Sequence, residues 1–79
     1  MRVHFYSYFK DLVGTAEVSE SVAPKCTLEE LLQILLKRFS RLAALRNSML
    51  VAVGVDYQKG DYVLHEGDEV SLFPPVQGG

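Results

Sequence analysis

One stretch of this chain carries a clear helical signal: Thr27-Leu28-Glu29-Glu30-Leu31-Leu32-Gln33-Ile34-Leu35-Leu36-Lys37-Arg38-Phe39. It opens with a capping box, in which the Thr27 side chain caps the first turn and Glu30 reaches back to the start of the helix. Apolar residues then recur at helical spacing over about three turns. They are Leu28, Leu31, Leu32, Leu35, Leu36 and Phe39. In so small a chain this stripe predicts the buried side of one long helix.

Two strand patterns precede the helix. Residues 3–9 alternate, which predicts a strand with two distinct faces. The two sets are Val3, Phe5 and Ser7 on one face, and His4, Tyr6 and Tyr8 on the other. Residues 9–14 read as a helical turn that ends at Gly14. The more polar segment 17–22 offers only Val18 and Val22 as apolar contacts, so we expect an edge strand there.

More strand patterns follow the helix, after a short helical or irregular stretch over residues 41–47. Residues 49–53 form a continuous apolar run, which predicts a central strand buried on both sides. Residues 57–63 contain Lys59-Gly60-Asp61 and predict short strands or an irregular edge. Residues 68–73 alternate again as the last strand, after a turn at Gly67 that requires a positive φ.

This order of elements predicts a single two-layer α+β domain over residues 1–79. One helix covers one face of a mixed sheet of four to five strands. We expect Leu31, Leu35, Val51 and Leu72 in one core. First and last strands that are neighbouring and parallel would make this arrangement a β-grasp.

Composition excludes several function classes. The formal charge is −2 and the basic residues are not clustered beyond residues 37–41, which disfavours nucleic-acid binding. No apolar run approaches the ~20 residues of a membrane span. Cys26 is the only cysteine, which fits a reducing cytoplasm. Cys26, His4 and His65 lack the paired spacing of a metal site. No nucleotide-binding or catalytic motif is present, so we expect no cofactor and no catalysis by the chain alone.

The C-terminal segment points to function. Pro74 and Pro75 end the last strand, since neither has an N–H for the sheet. The remaining residues, 76–79, are therefore predicted to leave the domain as an extended arm. This arm ends in Gly78-Gly79, and a glycine carboxylate can enter a slot that any Cβ would block.

The face of the sheet away from the helix is predicted to be an interface. Val70 and Leu72 point toward the core, so Ser71 and Phe73 point to the open face. That face also receives His4, Tyr6 and Tyr8 from the first strand, and Tyr57 from an adjacent edge. Aromatic residues clustered on an uncovered face are typical of a protein–protein contact.

Two quoted segments resemble the small subunit of molybdopterin synthase, a family of ubiquitin-like sulfur carriers. They are Gly67-Asp68-Glu69-Val70-Ser71-Leu72-Phe73-Pro74-Pro75-Val76-Gln77-Gly78-Gly79 and Val3-His4-Phe5-Tyr6 leading to Phe9-Lys10-Asp11-Leu12-Val13-Gly14-Thr15. The resemblance covers the whole chain and is most specific at the tail. Two positions depart from the family: Gly54 replaces a frequent asparagine, and Gln77 replaces a residue that is often smaller.

The resemblance implies a β-grasp fold and a role as sulfur donor. An E1-like adenylating enzyme would use ATP to adenylate the Gly79 carboxylate, and a sulfurtransferase would supply sulfur to form a thiocarboxylate. The tail would then dock into the large synthase subunit and pass sulfur to the cyclic pterin precursor. The implied site comprises Gly79 as the reacting group, with Gly78, Gln77, Val76, Pro75, Pro74, Phe73, Tyr6, Tyr57 and Lys10 as tail and partner contacts.

Three alternatives stay open from the sequence. One is a related sulfur carrier that serves thiamin, tungsten-cofactor or cysteine synthesis, although the Pro-Pro-Val ending disfavours the thiamin type. Another is a protein modifier, in which Gly79 forms an isopeptide bond with a lysine. The last is a non-covalent interaction module in which the two glycines have no role.

Overall fold

A computed structural model describes residues 1–75 of the chain. Its elements are β1 (Arg2–Phe5), α1 (Phe9–Val13), β2 (Glu17–Ser19), α2 (Leu28–Arg38), a 3₁₀ helix (Ser40–Ser48), β3 (Leu50–Val53), β4 (Asp56–Tyr57) and β5 (Glu69–Phe73). No helix within these residues is both long and apolar enough to span a bilayer.

The strands form one five-stranded mixed sheet in the order β2-β1-β5-β3-β4. β1 and β5 are neighbours and parallel, with Val3 opposite Val70, and every other pair is antiparallel. This confirms the predicted β-grasp arrangement and the edge position of β2. After the edge strand β4 the chain returns to the middle of the sheet. There β5, the last described strand, lies between β1 and β3.

The prediction that residues 49–53 form a central strand buried on both sides is confirmed, with the strand starting at Leu50. β3 lies inside the sheet, between β5 and the short edge strand β4, and β5 is the middle one of the five strands. The apolar run arises because β3 is buried on both faces. Val51 and Val53 belong to the core, and Ala52 is buried on the opposite face between Ser71 and Tyr57.

The first strand is shorter than the alternation of residues 3–9 predicts. β1 ends at Phe5, and Ser7 has a φ of 56°, in the left-handed region, where an extended strand cannot continue. Ser7 is therefore exposed and not part of the core face, and Phe9 starts α1 as a buried residue. The predicted helical turn over residues 9–14 is confirmed, with Gly14 at a φ of 86° closing α1.

The predicted capping box at the start of α2 is confirmed. The Glu30 backbone N–H donates to Thr27 Oγ1 at 3.2 Å, and the Thr27 N–H donates to Glu30 Oε1 at 3.0 Å. The predicted apolar stripe faces the sheet: its members Leu28, Leu31, Leu32, Leu35, Leu36 and Phe39 are buried in the core or packed against it. The expected core of Leu31, Leu35, Val51 and Leu72 is confirmed as part of one cluster.

The irregular segment that follows β4 also supports α2. Its carbonyl groups at Tyr62 and Gly60 accept the backbone N–H groups of Leu28 and Glu29, at 2.8 and 2.9 Å. These are two of the four N–H groups that a helix cannot satisfy by itself. α2 is thus fixed against one face of the sheet, and the opposite face is left open.

Candidate docking site

Three aromatic side chains come together on the open face of the sheet. The rings of Tyr6 and Phe73 are stacked, with centroids 4.7 Å apart and an interplanar angle of 11°. Tyr57 contacts Phe73 edge-on, at 6.5 Å and 80°. We call Tyr6, Tyr57 and Phe73 the aromatic cluster.

The backbone holds this aromatic cluster in register. Phe73 is the last residue of β5 and lies opposite Leu50 of β3. Tyr6 lies just beyond β1, and its N–H donates to the Leu72 carbonyl at 3.1 Å, which extends the parallel pairing of β1 with β5 by one step. The tyrosine and phenylalanine rings are therefore neighbours on the same face, because equivalent positions on adjacent strands point the same way.

The cluster is accessible to a partner. Tyr6 and Tyr57 retain 43% and 68% of their surface, while Phe73 is half-buried beside Tyr6. Next to them on the same face lie the small side chains of Ser71 and Ala52. Apolar rings beside small side chains make a flat surface that a partner can cover without clashes.

Two sequence predictions about this face have different outcomes. The structure brings together Tyr6, Tyr57 and Phe73, as the alternation indicated. Tyr8 does not join them, because β1 ends before it: its ring lies edge-on to Phe9, with centroids 5.3 Å apart. Tyr8 is therefore a residue of the turn before α1 and not of the aromatic cluster.

Sequence reasoning missed an exposed valine beside the cluster. Val55 retains 97% of its surface at the tip of the β3–β4 hairpin, two residues before Tyr57. The hairpin has the two-residue turn Gly54-Val55, with Gly54 at a φ of 63°. Glycine adopts that conformation without strain, so Gly54 suits the first position of this turn.

The other end of the open face carries charged residues. The Arg2 guanidinium lies 3.3 Å from the Glu17 carboxylate and 3.9 Å from that of Glu69, and His4 Nε2 lies 2.8 Å from Glu69 Oε1. The hydrogen bond with His4 is the main reason why the pKa of the Glu69 carboxyl is lowered, and the positive charge of Arg2 adds to it. We call Arg2, His4, Glu17 and Glu69 the charged cluster.

The residues around the tail are only partly described. Pro74 and Pro75 follow β5 directly, are half-buried and continue no strand, as expected for residues that cannot donate to a sheet. Lys10 is exposed on α1, which follows β1 at the end of the sheet where β5 also ends. The predictions for Val76, Gln77, Gly78 and Gly79 fall outside the described residues.

Other candidate centres carry no site. Cys26 is 6% exposed, and burial followed by the nearby charge of Glu30 raises the pKa of its thiol, which disfavours a reactive thiolate. Within residues 1–75, no three His, Cys, Asp or Glu side chains are grouped as metal ligands would be. The open face that carries the aromatic cluster, which Pro74 follows directly, is the candidate functional surface.

The sequence is similar to those of known proteins. The ThiS family profile matches residues 3–79. The molybdopterin synthase sulfur carrier subunit of Escherichia coli K12 is 37% identical over 81 aligned residues, which cover 100% of this chain and 99% of that protein. The corresponding protein of Drosophila erecta is 33% identical and is covered to 90%.

Solved structures of distant relatives share the fold. SAMP1 of Haloferax volcanii superposes with a TM-score of 0.87 at 22% identity, over 99% of this chain and 97% of that one. A complex of subunits 1 and 2 of the molybdopterin-converting factor of Helicobacter pylori includes a chain that superposes with a TM-score of 0.70 at 23% identity, over 99% and 96%. These likenesses show the shared fold, and the profile match over residues 3–79 shows that the chain belongs to the ThiS family.

Proposed function

We propose that this chain is the sulfur carrier subunit of a molybdopterin synthase, with the Gly79 carboxylate as its reacting group. The observation that carries the proposal is the position of the aromatic cluster. Phe73 is both the last residue of the central strand and a member of the cluster, and Pro74 and Pro75 follow it directly. A partner that covers Phe73 therefore also receives the segment that leads to Gly79. The full-length relationship to the sulfur carrier of E. coli supports the same function.

The chemistry needs activation because a free carboxylate is a poor acyl donor. An E1-like adenylating enzyme would join the Gly79 carboxylate to the α-phosphorus of ATP, with loss of pyrophosphate. The outer sulfur of a sulfurtransferase persulfide would then attack the acyl carbon and displace AMP, which forms an acyl disulfide. A thiol would cleave the S–S bond of that acyl disulfide, which leaves the thiocarboxylate on Gly79 and a disulfide on the sulfurtransferase side. ATP belongs to the activating enzyme, and the carrier needs no cofactor of its own.

The carrier's own contribution is positioning. Docking through the aromatic cluster fixes the start of the tail relative to the partner, so the thiocarboxylate is held at a high effective concentration near its acceptor. Side chains of the described residues are not required as general acid or base in this scheme. The protein is thus the sulfur-donating subunit of a two-component sulfurtransferase and not a catalyst alone.

The partner that we propose is the large subunit of molybdopterin synthase, which would transfer the sulfur to the cyclic pterin precursor. The likeness to one chain of the complex from Helicobacter pylori supports this choice at the level of the fold. Gly78, Gln77, Val76 and Lys10 are proposed as further contacts on the basis of the family resemblance. The cytoplasmic location stays a prediction from the sequence.

Mass spectrometry of the chain, purified after co-expression with its activating enzyme, tests the function. We expect the C-terminal peptide to gain the mass difference between sulfur and oxygen, and the modified chain to support pterin sulfuration when the large subunit is added. A chain without Gly79, expressed in the same way, is the control. Attachment of Gly79 to lysines would indicate a protein modifier, and an unmodified terminus would favour a non-covalent interaction module. Thiocarboxylate that does not support pterin sulfuration would indicate a carrier for another pathway.

A further inference from the structure

The open face of the sheet has a charged end as well as an aromatic end. The charged cluster is contributed by three adjacent strands: β1 provides Arg2 and His4, β2 provides Glu17 and β5 provides Glu69. These strands are hydrogen-bonded neighbours, and each of the four side chains contacts at least one other on this face. The charged cluster is therefore a continuous patch and not a set of separate surface charges.

The charges within this patch do not balance. Two carboxylates face one guanidinium, so the charged cluster has one excess negative charge when His4 is neutral. Glu69 contacts both Arg2 and His4 through its Oε1 atom, and Glu17 contacts Arg2 through its Oε2 atom. Among residues 1–75, the second carboxylate oxygen of each accepts no hydrogen bond. Each carboxylate thus keeps acceptor capacity for a donor from outside the chain.

The charged cluster adjoins the aromatic cluster. The His4 and Tyr6 ring centroids are 6.4 Å apart, and His4 and Tyr6 are successive positions on the same side of the chain. A partner that covers Tyr6 and Phe73 therefore extends over or beside the charged cluster. Covering an unbalanced carboxylate removes it from water, and a cation on the partner compensates this cost most directly because it supplies both opposite charge and hydrogen-bond donors.

We propose that the charged cluster is a second docking element, which selects a partner with an arginine or lysine opposite Glu17 and Glu69. The proposal rests on the proposed function and names the large subunit of the synthase as that partner. The aromatic cluster supplies apolar contact, and the charged cluster supplies charge complementarity, which steers association and disfavours partners that present acidic residues.

A purely structural role for these residues makes a different prediction. Arg2, Glu17 and Glu69 side chains are more than half exposed, and exposed ion pairs contribute little to folding stability. Their neutralisation should therefore leave the fold intact. Any effect on docking can then be assigned to the contact with the partner.

The test compares two double variants that change the net charge equally. Glu17→Gln with Glu69→Gln removes both negative charges of the charged cluster, whereas Asp61→Asn with Glu66→Gln removes two exposed negative charges that do not belong to it. Binding of each to the large subunit is measured by titration calorimetry at about 0.05 M and about 0.5 M salt. We expect the first variant to bind about fivefold to tenfold more weakly at low salt and within about twofold of wild type at high salt. The control variant should bind within about twofold of wild type at both salt concentrations.

Several outcomes would overturn the proposal. One is equal binding by wild type and the Glu17/Glu69 variant at low salt, and another is tighter binding by that variant. An equal loss in the control variant would assign the effect to net charge alone. Self-association of the wild-type chain that is tighter than its binding to the large subunit would assign the face to a second copy.

If the large subunit does not bind wild type at all, the proposed function fails, and with it the inference. If Phe73→Ala abolishes binding while the charge variants change nothing, only the inference fails.

Discussion

Phe73 connects the fold, the open face and the tail, so its replacement separates docking from folding. Its ring stacks on Tyr6 and contacts Tyr57, and it is half-buried on the open face, away from the core. We expect Phe73→Ala to weaken binding to the large subunit by about 2 kcal/mol or more, as for a central aromatic anchor. Titration calorimetry measures this loss, and circular dichroism checks that the fold is retained.

Tyr8→Ala is the matched control for this change. Tyr8 is also a partly exposed aromatic residue, at 42%, but its ring packs on Phe9 outside the aromatic cluster. We expect this variant to bind the large subunit as wild type does. An unchanged dissociation constant for Phe73→Ala, or equal losses in the two variants, would exclude the aromatic cluster as the docking surface.

The α2 helix owes its position to its buried stripe, and Leu35 tests this. Leu35 is fully buried in the core. We expect Leu35→Ala to lower the free energy of unfolding by about 2–5 kcal/mol, since a cavity would remain at the site. Ile34→Ala, at the neighbouring exposed position of the same helix, should cost less than about 1 kcal/mol. Denaturant titration of both variants measures the difference in the free energy of unfolding. Similar losses of stability in the two variants would mean that α2 does not bury the face that carries Leu35.

The capping box of α2 gives a pH dependence with a definite sign. Hydrogen bonds from the Thr27 backbone and side chain lower the pKa of Glu30 in the folded chain. A lowered pKa stabilises the fold above the unfolded-state pKa, and this contribution is lost as the pH falls through the folded value. We expect wild type to lose more stability than Glu30→Gln when the pH falls from about 5 to about 3. Glutamine keeps an acceptor oxygen but does not titrate, so parallel stability curves would show that Glu30 makes no such contribution.

The elements were predictable where a pattern was local. The Thr27 capping box, the leucine stripe and the Gly14 helix end each depend on residues within a few positions of one another, and all three are confirmed. The end of β1 was not predictable, because the alternation of residues 3–9 continues past the positive φ of Ser7. Its consequence was the wrong placement of Tyr8 on the open face.

Relationships between distant strands were harder to predict from the sequence. The central position of β5 depends on its pairing with both β1 and β3. The apolar residues of β3 indicate that this strand is buried, but they do not indicate which strands lie beside it. The charged cluster was missed for the same reason. Glu17 and Glu69 are far apart in sequence and meet only because their strands lie on either side of β1.

In the proposed function the whole molecule joins a docking surface to a tail of fixed length, and Gly79 tests this connection. If docking fixes the start of the tail at Phe73, as proposed, the reach of the carboxylate depends on the number of residues that follow. Deleting Gly79 leaves a glycine carboxylate up to about 3.3–3.6 Å short in an extended chain. Reacting atoms must lie within about 3–3.5 Å, so we expect most of the adenylation and thiocarboxylate formation to be lost.

Lengthening the tail by one alanine after Gly79 provides the complementary test, because the carboxylate would overshoot and carry a Cβ into the slot. We expect this variant to fail in the same assay. Both variants should fold as wild type does, since Pro74 and Pro75 separate the tail from the sheet, and both should retain binding through the aromatic cluster. Thermal unfolding and calorimetry with the large subunit check these two expectations. Full thiocarboxylate formation by the shortened chain would show that the reaction does not depend on tail length, and the two terminal glycines would then have no assigned role.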